Sequence, residues 1–110
     1  MATTKSWHAF DEYLCLGGFG PVEHEYHFHP TRKWRFDWAL PERMIAWEYD
    51  GVMSGQASHA SVGGILRDSE KINEAQRLGW KVFRVNAKTI QNGEAFTLAD
   101  AVLTVEGAQS

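Results

Sequence analysis

The sequence predicts a single α/β or α+β domain, because patterns typical of strands and helices alternate within a length that suits one hydrophobic core. Residues 33–40 and 43–50 each alternate apolar and polar side chains and together predict a β-hairpin. Residues 65–78 have helical periodicity, and residues 80–85 form a short apolar run typical of a buried strand.

The other segments give the predicted order helix, strand, hairpin, loop, helix, strand, helix. Residues 5–16 have apolar side chains at near-helical spacing, and residues 24–29 suit an extended strand. Residues 51–64, rich in glycine and serine, predict a loop long enough to suggest a function. Residues 87–105 predict one or two short helices. No repeat or second domain is visible, so one domain is expected over residues 1–110.

The turn of the hairpin determines which side chains share a face of the sheet. A turn centred on Pro41-Glu42 would place Asp37 opposite Ala46, but Pro-Glu is not favoured in two-residue turns, so a longer loop stays open. Strand side chains alternate between faces, which separates a polar face from an aromatic one. The polar face is expected to carry Arg35, Asp37, Ala46, Glu48 and Asp50, and the aromatic face Trp34, Phe36, Trp38, Ile45, Trp47 and Tyr49.

The composition excludes some classes of protein. The lone cysteine, Cys15, cannot form an internal disulfide, so a reducing interior is expected, with this thiol in a helical core. No run approaches the roughly 18 apolar residues of a membrane span, and the first residues lack a signal-peptide pattern. These features predict a cytoplasmic protein without a membrane partner.

The charge distribution is compatible with a nuclease. A formal net charge of −3 argues mildly against a basic nucleic-acid coat protein, but acids that hold metal ions also lower the net charge. Binding to phosphate needs only a local basic patch, which Arg32, Lys33 and Arg35 supply.

Three acids on the polar face of the hairpin are candidate metal ligands. Asp37, Glu48 and Asp50 would repel one another unless a cation joined them. Carboxylate oxygens suit Mg²⁺, which can lower the pKa of a bound water and neutralise charge on a phosphate. The pattern therefore indicates phosphodiester hydrolysis; the alternative is a solvated polar face without an ion.

Two further residues are candidates for the same site. Lys71 lies inside or beside the apolar arc of the predicted helix, from which it would reach the acids; the alternative is an i,i+3 ion pair with Asp68. His59 lies in the glycine- and serine-rich loop, where it is either a surface residue or a placed acid/base.

The histidines before the hairpin raise a competing hypothesis. His27 and His29 share a strand face, a spacing that suits a zinc or iron pair, and Glu23 or Glu25 would add a carboxylate. No third ligand follows at an established spacing, so histidines in a structural strand are the favoured interpretation.

The central runs resemble a known nuclease superfamily. RKWRFDWALPERMIAWEYDG, the loop with its histidine and RDSEKINEAQRLGWKVFRV are similar to PD-(D/E)XK nucleases, and closer to small phage and bacterial proteins akin to very-short-patch-repair endonucleases. The resemblance covers roughly residues 24–90, and its most specific parts are F-D-x-A, E-x-D-G and L-G-W-x-V-x-R.

The resemblance implies a restriction-endonuclease-like core, in which a central mixed sheet is flanked by helices. It also implies Mg²⁺- or Mn²⁺-dependent cleavage of duplex or branched DNA, in a bacterium or a phage-infected cell. Asp37 and Glu48 match the two acids that hold the metal, and the Tyr49 carbonyl is a further ligand. Asp50 stands where the superfamily normally has a lysine, so it would be another ligand, with Lys71 replacing the lysine from the helix.

Several roles and alternatives follow from this resemblance. His59 matches a loop histidine of the closer relatives that would assist as acid/base or phosphate contact. Separately from the resemblance, Arg84 at the end of the last strand joins the basic patch as a candidate DNA contact; the alternative is a pair with a surface acid. The departure at Asp50 leaves open a module that binds DNA or protein without cutting. A domain of this size would present one site, so cutting both strands would favour a homodimer.

Overall fold

In the part of the chain that the structure describes, four strands form one mixed sheet, with helices before, between and after them. The computed structural model describes residues 5–50 and 62–109, with side chains described for residues 5–50 and 68–104. The elements are α1 (Lys5–Leu16), β1 (Glu23–His27), β2 (Arg35–Leu40), β3 (Ile45–Asp50), α2 (Val62–Arg77), β4 (Lys81–Asn86), α3 (Ala87–Gln91) and α4 (Glu94–Gln109).

The sheet has the order β1-β2-β3-β4. The first three strands are antiparallel neighbours, whereas β3 and β4 are parallel and α2 connects them. A parallel pair needs such a crossover, because the chain must return to the starting edge before the second strand begins. The predicted α+β class, with a mixed sheet and a hairpin flanked by helices, is therefore confirmed. None of the helices that the structure describes is long and apolar enough to cross a membrane.

The larger hydrophobic core lies between the sheet and α1, α3 and α4. Phe10 and Leu14 are four residues apart on α1, so they lie on the same face of the helix, and both are fully buried. They pack with Trp38, Leu40, Ile45, Trp47, Val85, Ile90, Ala95, Ala99 and Leu103. This core fixes the hairpin from one side.

The smaller core lies beneath α2. Ala39 and Ala46 are directly paired across β2 and β3, and their small side chains leave room for Ala75 of α2. Gly79, with φ +100°, ends the helix, since a left-handed residue after the last turn favours glycine. The Trp80 amide then donates to the Ala75 carbonyl at 2.9 Å, which places the Trp80 ring in the same core.

The register of the hairpin differs from the prediction by two residues. Ala39 pairs with Ala46, not with Met44, because the connection is a four-residue loop, Pro41–Met44. The Arg43 amide donates to the Leu40 carbonyl at 2.9 Å, and Met44 has φ +58°. A shift of two residues preserves the alternation of faces, so the acids stay on the predicted side.

The prediction that Phe36 and Trp34 lie on the same face of the sheet as Trp38 is wrong. Trp38 lies in the core against α1, but Phe36 packs against Trp80 in the core beneath α2. The change of face occurs at Asp37, which the neighbouring pairs place opposite Glu25, a residue with φ +51°. Trp34 precedes β2 and stacks with Phe28, which also packs against the smaller core.

Candidate active site

The candidate site lies at the end of the backbone pairing between β2 and β3, where a side chain of β2 accepts a hydrogen bond from the backbone of β3. Trp38 pairs with Trp47, and the same register continued by one residue places Asp37 level with Glu48. The Tyr49 amide donates to Asp37 Oδ2 at 2.7 Å. This bond satisfies a strand donor and fixes one carboxylate oxygen of Asp37 beside Glu48.

Glu48 is a buried acid with a lysine partner. Its side chain is only 10% exposed, and the Lys71 ammonium forms an ion pair with Glu48 Oε2. The lysine side chain is 15% exposed, and its Nζ lies 5.9 Å from the centre of the Phe36 ring. Asp68, the other predicted partner of Lys71, instead pairs with Arg84. The lysine of α2 thus reaches the predicted acids.

The surroundings of Glu48 shift its pKa upward. Burial raises the pKa of Glu48, because the charged carboxylate loses hydration. The bond and the positive charge of Lys71 oppose this rise, whereas the negative charge of Asp37 adds to it. The net pKa of Glu48 lies above its ordinary value, so this carboxylate is a group that a further cation would stabilise.

Strand β4 forms the other border of the site. The parallel register places Arg84 level with Glu48, and Asn86 level with Asp50. Arg84, expected to contact DNA, forms an ion pair with Asp68 of α2, and both side chains are about half exposed. Its positive charge lowers the pKa of Glu48, though less than Lys71 does. Arg84 therefore contributes to the charge balance of the site.

The donors around Asp37 and Glu48 fit a hard divalent cation. The predicted ligands, including the Tyr49 carbonyl and Asp50, all offer oxygen, and Asp37 lies close enough to raise the pKa of Glu48. Asp37, Glu48 and Asp50 are not among the described groups of three donors within 4.8 Å of one another. Two adjacent carboxylates are still enough, since Mg²⁺ usually takes one or two and keeps several waters.

The predicted basic patch lies before and at the start of β2. Arg32, Lys33 and Arg35 are all exposed. The Arg32 guanidinium lies 4.0 Å from the centre of the Trp34 ring and 3.5 Å from Glu70, next to Lys71 in sequence. Arg32 therefore connects the patch to the same helix that carries the lysine of the site.

The histidines of the competing metal hypothesis have separate structural partners. The His27 ring bonds to the Arg32 carbonyl at 2.5 Å. His29 is buried, and its Nδ1 accepts the Arg32 amide at 3.0 Å, so Nε2 carries the proton and donates to Glu74 at 3.0 Å. This arrangement fastens the segment after β1 to α2 and does not bring the two rings to a common ion.

The same network makes Glu74 a useful pH probe. Bonds from Arg77 and His29 lower the pKa of Glu74 from 4.5 to about 2. Because the folded-state pKa is depressed, the contribution of ionised Glu74 to stability is present above about pH 4.5 and lost as pH falls towards 2. Arg77→Ala is expected to raise this pKa, as followed by NMR titration of the carboxyl carbon. An unchanged midpoint would contradict the assigned cause.

One group of candidate ligands was missed at the sequence level. Asp11, Cys15 and His24 place one donor atom each within 4.8 Å of one another. Cys15 is exposed, which corrects the expectation of a core thiol, because Phe10 and Leu14 define the buried face of α1. The i,i+4 spacing of Asp11 and Cys15 was the available signal, but the position of His24 depends on the tertiary fold.

The predicted residues thus divide into three groups. Asp37, Glu48, Tyr49 and Lys71 come together. Asp50 follows them on β3, and Arg84 lies on the neighbouring strand β4. The basic patch is adjacent to α2. His59 lies outside the described residues. Comparisons with protein-family models, curated proteins and solved structures found no match.

Proposed function

We propose that this protein is a Mg²⁺- or Mn²⁺-dependent endonuclease that hydrolyses phosphodiester bonds in DNA. The observation that carries the proposal is the Lys71 ammonium paired with the buried Glu48 carboxylate beside Asp37. Two acids and a lysine brought together from three elements supply metal-binding oxygens and a positive charge at one place. The mixed sheet flanked by helices is compatible with the restriction-endonuclease-like core that we infer.

The metal would be held by Asp37 and Glu48, with the Tyr49 carbonyl and Asp50 as further oxygen ligands. When bound, such an ion lowers the pKa of a coordinated water and neutralises charge on the phosphate. The Tyr49 amide orients Asp37 by its 2.7 Å bond, which limits the rearrangement needed for ligation. Burial of Glu48 keeps that carboxylate in a poorly hydrated setting, where a cation is bound more strongly than in water.

In addition to its ion pair with Glu48, Lys71 would interact with the reacting phosphate. Its ammonium would orient the attacking water or stabilise the charge that develops on the phosphate oxygens. The ion pair with Glu48 holds the flexible lysine chain in place before DNA binds. His59, which lies outside the described residues, would assist as acid/base or phosphate contact.

The DNA backbone would approach across the exposed Arg32, Lys33 and Arg35. Arg84 would join them by exchanging Asp68 for a phosphate, since the exposed ion pair is a weak constraint. The substrate would be duplex or branched DNA, and two copies of the chain would be needed to cut both strands with one site each. A bacterial or phage-infected cytoplasm is the proposed setting.

A second candidate function is DNA or protein binding without cleavage. Asp50 favours it, because the sequence places an acid where the resembling nucleases carry a lysine. This alternative predicts tight binding that survives Asp37→Ala.

The test of the proposed function is a cleavage assay on supercoiled plasmid and branched DNA with Mg²⁺, Mn²⁺ or EDTA. Nicking that requires the divalent ion and stops with EDTA is the expected result. Binding to the same DNA is measured in Ca²⁺ to suppress cleavage, so that a protein that binds without nicking is distinguished from one that does not bind. Binding without nicking in any metal would reject the endonuclease and support the binding module.

A further inference from the structure

A second cluster of metal-ligating side chains lies away from the candidate active site, where α1 meets the edge strand β1. Asp11 and Cys15 are one helical turn apart on α1, and His24 is on β1. One donor atom from each, a carboxylate oxygen, the Cys15 sulfur and a ring nitrogen, lies within 4.8 Å of the other two. We propose that these three side chains bind a Zn²⁺ ion that joins α1 to β1.

The set of donors favours zinc over magnesium. A thiolate, an imidazole and a carboxylate are the ligands that proteins use for Zn²⁺, whereas Mg²⁺ prefers oxygen alone. Three protein ligands leave the fourth tetrahedral position for a water. The Cys15 and His24 side chains are exposed, so ion and water have access.

One of the two distances matches a tetrahedral site, and the other requires a side-chain adjustment. Ligands about 2.3 and 2.1 Å from the ion, as for sulfur and oxygen, lie about 3.6 Å apart in a tetrahedron. The separation of Cys15 Sγ from Asp11 Oδ1 is 3.6 Å. His24 Nε2 lies 2.5 Å from the same oxygen, a hydrogen bond that would lengthen by about 1 Å on ligation. The His24 side chain, 43% exposed, is free enough to make this adjustment.

The surroundings hold the carboxylate in position. The buried Trp38 indole donates its N–H to Asp11 Oδ1 at 3.0 Å, in the manner of an outer-shell hydrogen bond to a metal ligand. The Trp7 ring lies 5.1 Å from Trp38 and 6.1 Å from His24, so aromatic side chains border one side of the cluster. Asp11 is therefore the fixed ligand, and the exposed His24 ring makes the larger adjustment by moving away from it.

The present contacts also account for the cluster without an ion. The His24 ring and the Trp38 indole both hydrogen-bond to Asp11 Oδ1, so this carboxylate oxygen is already held beside the two other donors. The Cys15 thiol donates to this carboxylate. On binding, Zn²⁺ would replace that proton, which passes to the solvent, and the thiolate would take its place.

The test is a Co²⁺ and Zn²⁺ titration of the reduced full-length protein after removal of metals with a chelator. Co²⁺ is expected to produce the near-ultraviolet thiolate charge-transfer band and the visible bands of a tetrahedral ion, at one ion per chain. Zn²⁺ is expected to abolish both sets of bands. Glu48→Gln should retain them, because the thiolate band reports only on Cys15, so this outcome is independent of the proposed nuclease site.

Two variants and a matched control locate the ligands. Cys15→Ser is expected to remove the charge-transfer band. His24→Ala is expected to weaken Zn²⁺ binding at least about 100-fold, because losing a direct ligand should cost no less than losing an outer-shell partner, which costs up to about 100-fold. Glu12→Gln, an exposed acid next to Asp11, should bind as the wild type does. Circular dichroism without metal checks that each variant is folded. No thiolate band in the folded wild type, or equal Zn²⁺ affinity in all variants, would overturn the proposal.

Discussion

Replacing Lys71 with methionine is expected to reduce metal-dependent DNA cleavage by about 100-fold or more. Methionine keeps an apolar side chain of similar length but removes the ammonium group, which pairs with Glu48 and lies 5.9 Å from the centre of the Phe36 ring. Loss of one group that stabilises charge in the transition state typically costs about 10²- to 10³-fold in rate. The measurement is the single-turnover rate of cleavage at saturating protein, with DNA affinity determined separately.

The pH profile of Lys71→Met gives this prediction a second readout. The bond and charge of Lys71 lower the pKa of Glu48, so their loss raises it further. Because only the ionised carboxylate would hold the metal, the residual cleavage is expected to require a higher pH than in the wild type. Lys88→Met, an exposed lysine of α3, is the matched control and should cleave normally. Full activity of Lys71→Met with an unchanged profile would exclude Lys71 from the site.

Replacing Phe10 with alanine is expected to lower the free energy of unfolding by about 3–5 kcal/mol. Phe10 is fully buried where α1 packs on the sheet, so its removal leaves a cavity that neighbouring rings fill only in part. Those rings, with centroids 5.2 to 6.0 Å from Phe10, belong to Tyr13, Trp38, Trp47 and Phe96.

Denaturant unfolding followed by circular dichroism measures this change. Leu16→Ala on the same helix is the matched control, because Leu16 is 80% exposed and should alter the free energy of unfolding by less than about 0.5 kcal/mol. Similar losses in the two variants would contradict the assignment of Phe10 to the core.

The order of the elements could be predicted because its signals are local. Alternation marks the strands of the hairpin, and Gly79 marks the end of α2. The register could not be predicted, because the Pro41–Met44 loop depends on a left-handed Met44 that no local residue preference indicates. The face of Phe36 is reversed where Asp37 lies opposite the left-handed Glu25 of β1, and the alternation within β2 alone does not predict this irregularity.

The candidate site could be predicted in part, because the periodicity of a strand or helix determines which side chains share one of its faces. Alternation placed Asp37 and Glu48 together, and the helical repeat placed Lys71 towards the sheet; both relations survive a register shift of two residues. The Asp68–Arg84 pair and the approach of His24 to α1 depend instead on how separate elements pack. The sequence identifies these residues, but the distances between them cannot be predicted from it.

The central claim is that Asp37 and Glu48 bind the divalent ion on which hydrolysis of DNA by this protein depends. Its most direct test compares single-turnover cleavage in Mg²⁺ by the wild type, Asp37→Asn and Glu48→Gln, purified in parallel. Glu42→Gln, an exposed acid in the turn of the same hairpin, is the control. The account predicts that both site variants lose cleavage at least about 100-fold while still binding DNA, and that the control keeps it. Wild-type rates in folded Asp37→Asn and Glu48→Gln would contradict it.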